Sequence, residues 1–144
     1  MEKQYYTPSL DEFYVGFEVE WSEYGRKIWI EETIDEDDLS DLCLGIDKVS
    51  HFKVKYLDRE DIESCNWDFV EQGNSPNSVM VFIQKEPFAD KGTEYEQYWH
   101  IWLYNNHNVV IHNNQNYSSE VIIFNGTIKN KSELKRVMNM LNIK

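Results

Sequence analysis

Two cysteines, Cys43 and Cys65, are too few for a disulfide framework. Each has apolar neighbours, so both read as buried free thiols, and a reducing cytoplasm suits them. Three prolines and six glycines exclude collagen-like and low-complexity polymers. No apolar run approaches the roughly 20 residues that a membrane helix needs. The opening MEKQYYTPSL has no apolar signal region, so neither secretion nor membrane insertion is expected. Basic residues are also scarce, 14 Lys and Arg against 26 Asp and Glu, for a net charge of −12. Phosphate affinity comes from Lys and Arg releasing counterions, so no broad nucleic-acid binding is expected. Nucleophile, phosphate-loop and zinc signatures are missing: there is no GxSxG, P-loop, CxxC, HExxH or GxGxxG.

What is present is size and aromatic mass. The 144 residues are enough for one domain with a core of its own, and the reading is a single domain over 1–144. Aromatic residues make up 15% of the chain, and such side chains fit pleated surfaces. Charge is uneven: net −10 over residues 1–50, −6 over 51–127 and +4 over 128–144.

Residues 1–10 read as an extended arm, with Pro8 holding Thr7 out of helix. Phe13, Val15, Phe17, Val19 and Trp21 alternate with polar positions, which predicts a half-buried strand. A turn over 22–25 leads to a return strand over 27–33. Leu39, Leu42 and Leu44 give a short helical face, with Asp35 or Asp37 as cap and Gly45 as stop. Phe52, Val54 and Tyr56 predict a strand, and Asp58 caps a helix that runs to about Trp67. Further strands are predicted over 79–85, 95–104, 109–112 and 120–127. A C-terminal helix over 132–142 starts at Ser132, with Leu134, Val137, Met138 and Leu141 facing the core. The expected fold is α+β and predominantly β, an antiparallel sheet of about 6–7 strands with the C-terminal helix packed on one face.

Three groups of residues are candidate sites. The first is the acidic run Glu31, Glu32, Asp35, Glu36, Asp37, Asp38 and Asp41. It lacks the glycine and terminal glutamate of an EF-hand loop, and reads as a solvated face or as a contact for a basic partner. The second is His100 and His112. A three-residue hairpin loop would set them opposite each other, where they could share a metal, although sheet histidines are the plainer reading. The third is the strand YEQYWHIWLY. One of its faces would carry Tyr98, His100, Trp102 and Tyr104, the other Tyr95, Trp99, Ile101 and Leu103. Both faces are aromatic or apolar, which suits a central strand buried on both sides or a sheet with one face used in binding. The carboxylates Asp58, Glu60, Asp61 and Glu63 read as an exposed helical turn, or as metal ligands for phosphodiester chemistry.

The phrases TPSLDEFYVGFEVEW, KVKYLDREDIESCNWDF and FNGTIKNKSELKRVMNMLNI resemble a group of small uncharacterised proteins of Bacteroidota bacteriophages and prophages. The group is marked by an EFxVGFEYE opening, a VKYLDxEDIES middle and an IKNKSELKxLLxxLGI close. The likeness covers about a third of the chain. Cys65 and Asn66 stand where the group has Leu-Gly, and Asn142 stands where it has Gly. No activity or catalytic residue can be carried over from the group. The resemblance implies a phage setting, in the cytoplasm of a bacterial host or in the virion.

The expectation is therefore a non-enzymatic interaction protein without a cofactor. It would bind or modulate a host or virion protein with a basic surface, and a homodimer is compatible with its aromatic strands. The alternative is a small divalent-metal-dependent enzyme acting on nucleotides or nucleic acid, with Asp61 or His100 among its ligands.

Overall fold

A computed structural model of the chain describes residues 3–22, 28–44, 51–73, 79–115 and 119–144. Among these residues nine strands form two antiparallel sheets, so the protein is α+β and predominantly β. The strands are β1 (Tyr5–Tyr6), β2 (Glu18–Trp21), β3 (Ile30–Thr33), β4 (Phe52–Lys55), β5 (Trp67–Gln72), β6 (Val79–Gln84), β7 (Trp99–Tyr104), β8 (Asn108–Gln115) and β9 (Ser119–Thr127). The helices are α1 (Glu36–Cys43), α2 (Arg59–Ser64) and α3 (Lys131–Met140). The chain divides into two compact units, one of residues 1–56 with 130–136, the other of 57–129 with 137–144. Among the described residues no helix is long and apolar enough to cross a membrane.

The first unit holds the four-stranded sheet, in the order β1-β4-β2-β3. Part of the expected arm is thus a strand, because Tyr5 and Tyr6 pair with Lys55 and Val54. The alternating stretch 13–21 is not one strand. Gly16 takes φ +94° in a turn, and its N–H donates to the Ile34 carbonyl. That left-handed residue releases Val15 to solvent while Phe13, Phe17 and Val19 still enter the core. Phe13 meets Phe17 and Phe52 edge-on, at ring centroid distances of 5.5 and 5.3 Å. The expected turn at 22–25 falls mostly outside the described residues, as does Gly45.

The C-terminal helix begins one residue before the expected Ser132, and its cap is Asn130. The Asn130 side chain accepts from the Glu133 N–H at 2.9 Å and donates to the Tyr6 hydroxyl at 2.9 Å. Tyr6 in turn donates to Glu12 at 2.8 Å, and burial pushes the Tyr6 hydroxyl well above its ordinary pKa. Ser132 turns inward instead, and its hydroxyl accepts from the Glu18 N–H.

The second unit holds the five-stranded sheet, a meander in the order β5-β6-β7-β8-β9. The helix expected to reach Trp67 stops at Ser64. Asn66, at φ +73°, turns the chain, and Trp67 opens β5 fully buried. One sheet face makes the core. Phe82, Ile101, Ile111 and Phe124 form a row across β6 to β9, and the first three are fully buried. Val137, Met138 and Ile143 are buried in the same unit. The helix end is a Schellman motif: Ile143 N–H donates to the Met138 carbonyl, Asn142 N–H donates to Asn139, and Asn142 sits at φ +56°. Glycine occupies such a position without Cβ strain. Asn142→Gly should therefore stabilise by about 0.5 kcal/mol, and Asn142→Ala should cost about 1 kcal/mol. Shifts of the urea midpoint in opposite directions check this, and a gain from alanine would refute it.

Candidate functional site

The acidic run lies on β3 and α1, and the structure divides it. Asp35 and Asp38 form a reciprocal capping box at the start of α1. Asp38 N–H donates to the Asp35 carboxylate at 2.9 Å, and Asp35 N–H to the Asp38 carboxylate at 3.1 Å. These two acids therefore have a structural task. Glu31, Glu36, Asp37 and Asp41 are exposed, and among the described residues none of the four is in an ion pair. Glu32 is half-buried on β3, on the opposite face from Glu31.

Glu31 stands directly across the ladder from Glu20, which places two carboxylates on one face. Lys53 meets Glu20 from the other side, at 2.9 Å. Its ammonium also sits 4.0 Å from the centre of the Tyr5 ring and 4.3 Å from that of Trp29. Burial and a hydrogen bond to Glu20 hold the Tyr5 hydroxyl above its ordinary pKa. Lys135 pairs with Glu18 at 2.6 Å. The sheet acids Glu18 and Glu20 thus have cations, and the unmatched negative charge gathers at the β3–α1 corner.

The histidine pair forms as the three-residue loop requires. β7 ends at Tyr104, β8 begins at Asn108, and His107 at φ +61° turns the hairpin. His100 and His112 are direct cross-strand partners, with ring centroids 5.2 Å apart and planes within 22°. Trp102 meets His112 edge-on at 4.3 Å. Among the described residues no three His, Cys, Asp or Glu side chains are gathered as a metal site requires. Asp58 and Asp61 form a second capping box, on α2, and Arg59 pairs with Glu63 at 3.0 Å. Cys43 is exposed and Cys65 half-buried, not buried as their apolar neighbours suggested. Leu42 takes the core side of α1, which turns Cys43 to solvent, and Leu44 is 76% exposed.

The histidines belong to a larger face, on which His112 and Val110 are buried. On the face of the second sheet opposite its core, Ile83, His100, His112 and Ile122 form one row across β6 to β9. Val81, Trp102, Val110 and Asn125 form the next, and Val79 and Tyr104 begin a third. On β5 the carboxylates Asp68 and Glu71 continue the first two rows, opposite Ile83 and Val81. Of the two faces weighed for the aromatic strand, the one with Ile101 and Leu103 is buried. The one with His100, Trp102 and Tyr104 is only half-buried. Tyr95 and Tyr98 precede β7 and lie outside the strand. Sequence reading singled out the β7 aromatics but missed their partners Val79, Val81 and Ile83. A signal was there: residues 97–128 contain one charged side chain, Glu120, in a chain that is 28% charged.

Set beside protein-family models, curated proteins and solved structures, the chain matches none.

Proposed function

We propose that this is a non-enzymatic interaction protein of phage type, which binds or modulates a host or virion protein through a basic surface on that partner. The observation that carries the reading is the β3–α1 corner, where Glu31, Glu36, Asp37 and Asp41 are exposed on a strand and a capped helix. Carboxylates on regular elements have fixed backbones, so their pattern is preorganised for a complementary patch of Lys and Arg. The net charge of −12 adds long-range steering of a basic partner, which salt would weaken.

The test is a pull-down from lysate of the bacterial host with the tagged full chain. The comparison is a variant carrying Glu31→Gln, Glu36→Gln, Asp37→Asn and Asp41→Asn. Asp35 and Asp38 stay untouched, because their loss would unwind the start of α1. A stoichiometric partner held by the native chain and lost by the variant is the expected result. A partner held equally by both would remove the acidic corner from the account. Finding the chain in purified particles would identify the partner as a virion protein.

A further inference from the structure

We propose that the outer edge of β3 takes up an extended segment of the partner protein as an added strand, one in which Lys or Arg alternates with apolar residues. β3 ends the order β1-β4-β2-β3, and among the described residues no strand pairs with its far side. The Ile34 N–H donates to the Phe17 carbonyl and the Ile34 carbonyl accepts from the Gly16 N–H, so both backbone groups of Ile34 face β2. Backbone groups alternate along a strand, which turns those of Glu31 and Thr33 outward. Among the described residues nothing takes them up. The side chains are as open as the backbone: Ile28, Trp29, Ile30, Glu31 and Thr33 are all exposed. On the core face of this sheet Trp21 stands across from both Phe52 and Ile30, yet Phe52 is 7% exposed and Ile30 49%. The apolar layer thus ends one strand short of covering its own margin. The opposite edge is closed by a short added strand, since Tyr5 and Tyr6 pair with β4 there.

The partner's charge rests on the reading proposed above; the strand edge adds how such a partner is held. Glu31 is exposed beside that edge and in no ion pair among the described residues, whereas Glu20 across from it is paired with Lys53 at 2.9 Å. A Lys or Arg of the added strand directly across from Glu31 makes a favourable cross-strand pair. Its neighbours along the strand then fall on the other face, beside Ile28 and Ile30, which is why the partner's residues alternate. A second copy of β3 fits badly. The central registers of a two-fold self-pairing set Glu31 against Glu31 or Glu32 against Glu32, and like charges directly opposite destabilise a ladder. The acids thus guard the edge against copies of this chain and leave it open to a basic strand.

The experiment titrates the isotope-labelled full chain, read by amide NMR and hydrogen exchange, with a synthetic peptide of about ten residues that alternates lysine and valine. A second peptide has the same composition, with its lysines and valines in two blocks. Thr33→Pro removes one outward N–H and keeps every carboxylate, and an edge strand tolerates proline where the N–H faces solvent. Thr33→Val keeps the N–H and controls for the lost hydroxyl, and circular dichroism checks the fold of both variants. The native chain and Thr33→Val should bind the alternating peptide, with slowed exchange of the Glu31 and residue 33 amides. The block peptide on the native chain, and the alternating peptide on Thr33→Pro, should each bind roughly tenfold more weakly. Equal binding of the two peptides, or equal binding by native chain and Thr33→Pro, would overturn strand addition and reduce the contact to charge. So would no binding at millimolar peptide, or binding that leaves exchange at Glu31 unchanged. Should Thr33→Pro lose its fold, the two peptides and the Glu31 exchange of the native chain decide the matter alone. None of these outcomes removes the acidic corner, which fails separately if the partner from lysate is held equally by the variant neutral at Glu31, Glu36, Asp37 and Asp41.

Discussion

Replacing Trp67 by alanine should lower the free energy of unfolding by about 3–5 kcal/mol, a large share of the roughly 5–15 kcal/mol that holds a domain together. Trp67 is 0% exposed, opens β5 and stands opposite Gln84 on the core side of the sheet. Removing the indole leaves a cavity between strands whose positions are fixed by ladder hydrogen bonds, so the site cannot collapse around it. Trp67→Phe separates the two contributions. The indole N–H meets no acceptor among the described residues, so losing it is nearly free, and the phenyl ring refills much of the space. Urea unfolding should show a much smaller loss for phenylalanine than for alanine. Equal losses would mean that cavity volume is not what the site is about.

Asn130→Ala should cost about 2–3 kcal/mol, more than an exposed helix cap does. The side chain is 1% exposed and makes two hydrogen bonds of different kinds, accepting from Glu133 N–H and donating to the Tyr6 hydroxyl. Alanine removes the cap and leaves a buried N–H without its acceptor. Asn130→Asp keeps an acceptor for Glu133 N–H but loses the donor to Tyr6, so it should recover the cap and not the tyrosine contact. A thermal melt of the three proteins should order them native, aspartate, alanine. If alanine melted with the native protein, Asn130 would be no more than a surface cap.

The meander of the second unit was the most legible part of the sequence. From β6 to β9 successive residues differ in polarity or size across the two faces, and the three-residue loop alone set His100 against His112. What escaped depended on single backbone conformations or on distant partners. β1 is two residues long and exists because β4 offers it hydrogen bonds across about 50 residues of sequence. β5 was hidden because the apolar spacing before Trp67 continues the helical pattern, and only the left-handed Asn66 ends it. The candidate acids were found as a run, but a run does not say which members cap. Asp35 with Asp38 and Asp58 with Asp61 share one spacing, three residues, which is the capping-box signature. The low charge of β7 to β9 was visible in residues 97–128, a signal that total net charge conceals.

The division of the chain also has an order in time. The first unit includes residues 130–136, which are made only after the whole of 57–129. Translation at roughly 5–20 residues per second would separate the two ends of that unit by on the order of 4–15 s. Throughout that interval Phe17, Val19 and Phe52 are already made, while Leu134 of the same unit does not yet exist. The meander needs no such wait, since each strand pairs with the next one synthesised and its contacts are local. Its core face still waits, since Val137, Met138 and Ile143 of the same unit are made last, but the first unit, whose four strands are complete by Lys55, waits longest for its last segment and is the one a nascent-chain chaperone would have to guard.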